Sequence, residues 1–329
     1  MTTTEDPAMA RILITTDYLR PGDAVDGYLR DHGHTTVHEP LEGHRSVDEL
    51  VRLLDGVEGA LIANEPMTAQ VLERAPALKA VVRTGVGYDS VDVEAASRLG
   101  ISVSNLPGIN ANAVAEYTIG LMLDASRHLV DLAVGVSEGR WPRTDGHELR
   151  GSTLGLVGFG ASARAVVPLA RAFGMTVLSH TNVGADLRSR FPDVEFVTLD
   201  DLLGRSDVVS IHAASTPATR GLIGDRALGL MKPNALLVNT ARGQMVDEQA
   251  LATAVRSGMI AGAALDVTEV EPLPADSVLR GVEGITVYSH MAGQTAEARE
   301  AAGREGAAEL VAALSGRPAF QVNGPGRAA

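Results

Sequence analysis

Three side chains in the second half of the chain have the types and spacing for acid–base chemistry on a carboxylate-bearing molecule. Arg242 stands in "NTARGQMVDEQAL", just past the apolar run "ALLVNT". An arginine followed by glycine at a strand end can aim a planar fork at a carboxylate. Glu271 lies in a proline-bounded loop in "GAALDVTEVEPLP", after Asp266 closes another apolar run, and His290 ends a third in "ITVYSHMAGQT". The nineteen-residue interval between Glu271 and His290 lets a loop bring the two together. A carboxylate beside an imidazole favours the protonated ring and fixes its orientation, so such a pair makes a positioned acid. Taken singly, each residue is more often structural: a surface arginine in a βα loop, a carboxylate in a turn, a satisfied histidine. Their joint occurrence at three strand ends of one nucleotide-type domain is what points to chemistry.

A phosphate-binding turn precedes them. "LGLVGFGASARAVVPLARAFGMTVLSHTN" runs from an apolar strand through glycines into a helix and on to a second apolar strand. Gly158 permits the tight turn, Gly160 lets the backbone approach a pyrophosphate, and Ala163 is small enough for close helix–strand packing. Ser162 lies in the first helical turn, where free N–H groups and the helix dipole favour an anion. A G-x-G-x-x-A alone is a weak signal, because glycine turns occur in any α/β protein; the strand, helix and second strand at the right spacing strengthen it. Pro168 should bend that helix. The second strand ends His180-Thr181-Asn182, where NAD sites usually place an acid. Thr181 and Asn182 can hydrogen-bond a ribose hydroxyl or a phosphate oxygen, so both NAD and NADP are expected as cofactors. Arg188 and Arg190 are the nearest downstream cations and reach this point only if the loop folds back.

The elements that must position these groups are legible as alternation. "RILITT", "TTVHE", "GALIA", "LKAVVR" and "ISVSN" form one series of short apolar strands. "TLGLVGFG", "MTVLSH", "VEFVT", "DVVSIH", "ALLVNT", "GAALDV" and "ITVYSH" form another. Helical patterns such as "AVDGYLRDHG" and "SVDELVRLLDG" lie between strands. Apolar runs of this length separated by helices signal parallel strands buried on both faces. The expected fold is therefore α/β, with two doubly wound parallel-sheet domains. "NANAVAEYTIGLMLDASRHLVDLAVGV" has no internal proline and is predicted as one long helix bridging them. "AEAREAAGREGAAELVAALSGRP" is a further, alanine-rich helix, and both chain ends are expected to lie loose.

Composition narrows the classes. The 329 residues suffice for two domains with buried cores, and 45% are hydrophobic, as in a globular chain. A net charge of −13, from 28 basic and 41 acidic residues, argues against nucleic acid or an anionic membrane as partner. Cysteine is absent, which removes disulfides and thiolate chemistry. The N-terminus has acids before a short apolar run and no signal-peptide pattern, and no run approaches a membrane span; the expected location is the cytoplasm. His32, His34, His38 and His44 lack the spacing of a closed metal site and read as surface residues, so no metal is expected.

These motifs, in order and across nearly the whole chain, resemble the D-isomer-specific 2-hydroxyacid dehydrogenases. The likeness extends to "LKAVVRTGVGYDSVDVEAASRLGISVSNLPGINANAVAEYTIGLML", "SDVVSIHAASTPATRGLIG", "MKPNALLVNTARGQMVDEQAL" and "SHMAGQTAEA". It implies that Arg242, Glu271 and His290 form a catalytic triad and that Asp266 holds the nicotinamide carboxamide. His212 and Thr240, in the matching motifs, are grouped with the cofactor-binding residues Gly158, Gly160, Ser162, Ala163, Thr181 and Asn182. The loop Gly85-Val86-Gly87 is assigned to the substrate carboxylate through its backbone N–H groups. A flavodoxin-like substrate domain (1–104, completed by 294–329) and a Rossmann cofactor domain (105–293) would enclose a cleft. The family's subunit arm implies a homodimer through the bridging helix and "SEGRWPRTDGHELRG", with Trp141 toward the neighbour.

Departures from the family pattern fall at Ala63-Asn64-Glu65-Pro66, at His212-Ala213-Ala214-Ser215-Thr216 and at Ala161-Ser162, where the pyrophosphate turn lacks the usual arginine. Arg83 and Tyr88 flank the carboxylate loop and have structural roles as ready to hand as substrate contact. The expected activity is hydride exchange between NAD(P)H and a small 2-oxoacid or D-2-hydroxyacid, working as a reductase. Two rival readings share the fold. One is phosphite or formate oxidation, although the phosphite-oxidising relatives carry a lysine where Val86 stands. The other is a nucleotide-sensing binding protein, which would keep the triad and add long disordered extensions.

Overall fold

In the computed structural model, which describes residues 9–40, 45–182 and 184–324, the chain divides into two compact units. The first comprises residues 1–110 and 295–329, the second residues 111–294. The first boundary therefore falls just before the long helix rather than at the end of the preceding strand. The two outermost chain ends and His44 lie outside the described residues.

The first unit is built on five parallel strands: β1 (Arg11–Ile14), β2 (Thr35–His38), β3 (Gly59–Ile62), β4 (Ala80–Arg83) and β5 (Ser102–Ser104). Their order across the sheet is β2-β1-β3-β4-β5, the flavodoxin-like arrangement. Residues of β3 are buried on both faces, because helices cover each side, as the continuous apolar runs require. The helix Ala296–Leu314 packs on this sheet, and its Leu310 touches Gly59, where a Cβ would meet the leucine methyl at 3.2 Å.

The second unit carries seven parallel strands: β6 (Thr153–Val157), β7 (Thr176–His180), β8 (Val194–Phe196), β9 (Val208–Ile211), β10 (Leu236–Asn239), β11 (Gly262–Leu265) and β12 (Ile285–Val287). They are ordered β12-β11-β10-β9-β6-β7-β8. Strand order reverses between β6 and β9, and in open α/β sheets ligands bind at the C-terminal ends of the strands on either side of such a switch. Every strand run proposed from the sequence forms a strand in the expected series.

Two expectations fail. The long helix is not continuous: it runs Ala111–Arg127, breaks at His128 and resumes Leu129–Ser137. His128 adopts a left-handed φ of 56°, and the Asp124 carboxylate caps the second piece by accepting the Val130 N–H at 2.8 Å. Histidine tolerates this conformation better than a β-branched residue would, and no glycine or proline marks the break. His34 is also not a surface residue. It is buried, and its Nδ1 accepts the Ala10 N–H at 3.3 Å. His38 is nearly buried too, with Nε2 3.1 Å from the Asp26 carboxylate. Each ring has one nitrogen partnered, by Ala10 just before β1 and by Asp26, while His34 Nε2 and His38 Nδ1 are buried without a hydrogen-bond partner. Among the described residues no group of histidines and acids could hold a metal ion, and no helix is long and apolar enough to cross a membrane.

Candidate active site

Both ends of the switch point meet at the glycine turn. Gly158 follows β6 with φ +95°, and an added Cβ there would lie 2.7 Å from the backbone nitrogen of Ala213. Only glycine fits that approach, which is possible because the chain leaving β9 crosses directly beside it, with the His212 N–H bonded to the Val157 carbonyl at 2.8 Å. A Cβ on Gly160 would meet nothing nearer than 3.9 Å, so space is open in front of the turn. The helix Ala161–Ala172 starts here, runs through Pro168 and has no side-chain cap on its first turn. Its first N–H groups are thus offered to a ligand, and the residues fit a dinucleotide pyrophosphate. Ala163 is fully buried against the sheet, as its small size predicted.

Ser162 and His212 hold each other. Ser162 Oγ lies 3.1 Å from Nδ1 of His212, whose Nε2 is 3.0 Å from Ser210 Oγ. Burial lowers the pKa of His212 to about 4, so the ring is neutral and bridges two hydroxyls. On the neighbouring strand the Gly158 N–H bonds the His180 carbonyl at 2.8 Å, which sets Thr181 and the exposed Asn182 beside the turn. Arg188 does fold back: it donates to the Thr181 carbonyl at 2.9 Å.

Past β10, β11 and β12 the other candidate residues converge. The fully buried Asn239 shapes the first loop, accepting the Ala241 N–H at 3.0 Å and donating to the Arg242 carbonyl at 2.9 Å. Thr240 Oγ lies 3.2 Å from Thr118 Oγ on the long helix. A Cβ on Gly243 would fall 1.9 Å from the Thr268 carbonyl carbon. Glycine there lets the β11 loop press against the loop of Arg242. That loop delivers Glu271, whose Oε1 accepts the Thr268 N–H at 3.1 Å and whose Oε2 is 2.7 Å from Nδ1 of His290.

Burial pushes the Glu271 carboxyl up, but His290, the Thr268 N–H and the Arg242 guanidinium outweigh it and hold the group below the usual range. His290 itself has φ 59°, a conformation rare outside glycine, and its N–H bonds the Asp266 carbonyl at 2.8 Å. Asp266 is buried, and its two carboxylate oxygens accept the N–H groups of Met291 and Ala292, both at 2.8 Å. One aspartate thereby pins His290 and the two residues that follow it. Strain at a site held so firmly is a common accompaniment of function.

The first unit has its own candidate loop. The Gly85 carbonyl accepts the Leu106 N–H at 2.9 Å, and the Val86 carbonyl accepts Asn105 Nδ2 at 2.6 Å. In trans peptides N–H points opposite to C=O, so the N–H groups of Val86 and Gly87 face away from those partners. Arg83 lies over this loop, 2.5 Å from where a Gly85 Cβ would stand, and donates to Asn64 Oδ1 at 2.7 Å.

Asn239, Thr118 and Gly243 were not singled out from the sequence. Asn239 and Gly243 stand in "NTARGQMVDEQAL" and Thr118 in the long helix, yet nothing in the sequence marks an asparagine as the brace of an arginine loop.

A chain with a dinucleotide turn at one half of a sheet edge and an acid–base pair at the other belongs to the oxidoreductases that use a nicotinamide cofactor. Residues 119–292 match the family described as D-isomer specific 2-hydroxyacid dehydrogenase, NAD binding domain. The chain is 36% identical over 317 residues to a glyoxylate reductase of Thermofilum pendens, covering 94% of this chain and 93% of that protein. It is 38% identical over 273 residues to a hydroxypyruvate reductase of Thermotoga maritima, covering 81% and 88%. A crystal structure of a glyoxylate reductase from Paecilomyes thermophila superposes with a TM-score of 0.86 at 30% identity, covering 96% of this chain and 98% of that one. The protein belongs to the D-isomer-specific 2-hydroxyacid dehydrogenase family and is a dehydrogenase acting on CH–OH groups.

Proposed function

We propose that the chain reduces small 2-oxoacids to D-2-hydroxyacids with NADH or NADPH. The observation that carries this reading is the Glu271–His290 pair at 2.7 Å, with the Arg242 guanidinium acting on Glu271. The ring Nδ1–H is committed to the carboxylate, so Nε2 is the atom that delivers a proton to the carbonyl oxygen. Arg242 binds the carboxylate and polarises the carbonyl, a task for which its fork suits it better than a lysine. The N–H groups of Val86 and Gly87 are the backbone donors we assign to a substrate carboxylate. When bound, the reduced nicotinamide supplies the hydride to the carbonyl carbon. Asp266 receives the carboxamide through the lone pairs that Met291 and Ala292 leave, and Gly158, Gly160, Ser162 and Ala163 seat the pyrophosphate.

Neutral Thr181 and Asn182 admit either cofactor, with kcat/KM values within about 30-fold of each other, roughly 2 kcal/mol. Thr181→Asp should restore a strong NADH preference by repelling the extra phosphate. Turnover of glyoxylate, hydroxypyruvate and pyruvate with each cofactor tests the reading; no reduction of any of them would overturn it.

The partners we assign are a small acid and a second copy of the chain, in the cytoplasm, with nucleic acid and membrane disfavoured by the charge of −13. Leu129, Val134 and Val136 on the second helical piece are 45–51% exposed, and Trp141 beyond it is 76% exposed. A two-fold homodimer would cover them. Light scattering at micromolar concentration should give twice the chain mass, and a monomer would refute the assembly.

A further inference from the structure

The segment after β7 carries more than the absence of an acid. Arg188 is seven residues beyond Thr181, yet its guanidinium donates to the Thr181 carbonyl at 2.9 Å and lies over the ring of Phe196, 5.3 Å from its centroid. A second arginine stands at the glycine turn. Arg164, in the first turn of the helix Ala161–Ala172, donates to the Phe159 carbonyl, inside the glycine turn, at 3.2 Å. The two are joined by one aromatic cluster: Phe159 meets both Phe196 and Phe191 edge to face, with centroids 5.0 Å apart. The family position for an arginine in this turn is taken by Ala161, and the structure supplies the cation from one turn later.

The place where these groups gather is defined by the fold. In a βαβ dinucleotide unit the residue ending the second strand meets the adenosine ribose, and an acid or a nearby arginine there separates NAD from NADP. The Gly158 N–H bond to the His180 carbonyl sets Thr181 at that point. The acid nearest along β8, Glu195, is engaged by Arg205 at 2.6 Å. Of the two exposed acids in the intervening segment, Asp193 is paired with Arg171 at 3.5 Å and Asp186 is the other.

We propose that Arg188 and Arg164 bracket a subsite for the 2′-phosphate of the adenine dinucleotide, which makes NADPH the favoured cofactor within the dual use described above. The proposal rests on the reading that this unit holds a nicotinamide dinucleotide. Arg188 supplies a guanidinium face held in place by Phe196 and the Thr181 carbonyl, and Thr181 and Asn182 add neutral hydrogen-bonding groups. Arg164 adds positive charge from the turn. Guanidinium–phosphate pairs are charge-assisted and directional, so two such groups outweigh Asp186, the aspartate there that Arg171 does not engage.

Titration of the full chain with 2′,5′-ADP and with 5′-AMP, by calorimetry, tests this without any turnover. The wild type should bind 2′,5′-ADP at least about tenfold more tightly, and the ratio should shrink as salt is raised. Arg188→Ala should bring the ratio to within about threefold, Arg164→Ala should lower it less, and Arg188→Lys should keep part of it because the charge remains. The ratio of kcat/KM for NADPH to that for NADH should fall in parallel. Equal affinities in the wild type, or a ratio unmoved by Arg188→Ala, would overturn the subsite. Binding of neither nucleotide would overturn it together with the dinucleotide reading. A preference for 2′,5′-ADP in a chain that reduces no 2-oxoacid would instead remove the reductase assignment and leave the subsite standing.

Discussion

Two histidines end parallel strands at the same edge of one sheet, in runs as alike as "DVVSIH" and "ITVYSH", and the structure treats them oppositely. His212, after β9, is 8% exposed and lies between the hydroxyls of Ser162 and Ser210. Its neighbours offer no charge, so burial keeps the ring neutral. His290, after β12, has a side chain 40% exposed, bonds a carboxylate and sits in a left-handed backbone conformation. A partner and a degree of burial, rather than residue type or position in a motif, separate a brace for the glycine turn from the histidine we propose as proton donor.

The largest expected effect falls on the exposed member. His290→Gln should lower kcat by about 10²-fold or more while cofactor binding persists, because only the proton delivery is lost. Near-normal turnover in this variant would erase the distinction between the two histidines.

Acid should expose the buried one. A His pKa lowered by folding means that the unfolded chain binds more protons below about 6.5, so stability is full at higher pH and is lost as pH falls toward about 4. Between pH 7 and pH 5 the His212 contribution should cost about 2 kcal/mol of unfolding free energy. Urea melts of the wild type and His212→Asn at the two values should show the variant losing less on acidification. Equal losses would mean that the ring is protonated in the fold.

A smaller effect comes from the carboxylate that makes His290 different. Glu271→Gln keeps a hydrogen-bonding shape but removes the charge, and should cost about tenfold in kcat and move the pH profile of reduction toward acid. The same carboxyl, held low in the fold, stabilises the protein above the ordinary carboxylate pKa, and that contribution disappears as pH falls through its folded value. A profile unchanged in Glu271→Gln would show that the pair does not set the proton affinity of the ring.

Much of this molecule could be read as text, and the reason is periodicity. Apolar runs buried on both faces announce parallel strands whatever surrounds them, and G-x-G-x-x-A ahead of a helix is a local solution to a local problem. Arg242, Glu271 and His290 could likewise be nominated, because each lies at or beyond a strand end in an α/β sheet, where the ligand edge lies. The break at His128 was not visible. It depends on Asp124, which caps the Val130 N–H and also accepts the Tyr288 hydroxyl at 2.6 Å from a residue 164 positions away.

The arginines follow the same division. Residue types alone made Thr181 and Asn182 neutral and left the cofactor open, and they showed no arginine at its family position. Whether Arg188 reaches back seven residues was decided by an aromatic cluster assembled from the glycine turn, β8 and the loop between β7 and β8, and Arg164 comes to rest on a carbonyl of that same turn. Local sequence determines backbone habit because φ and ψ preferences and apolar spacing act over a few residues. Where a long, flexible, charged side chain comes to rest depends on surfaces that distant segments create only when the chain has folded.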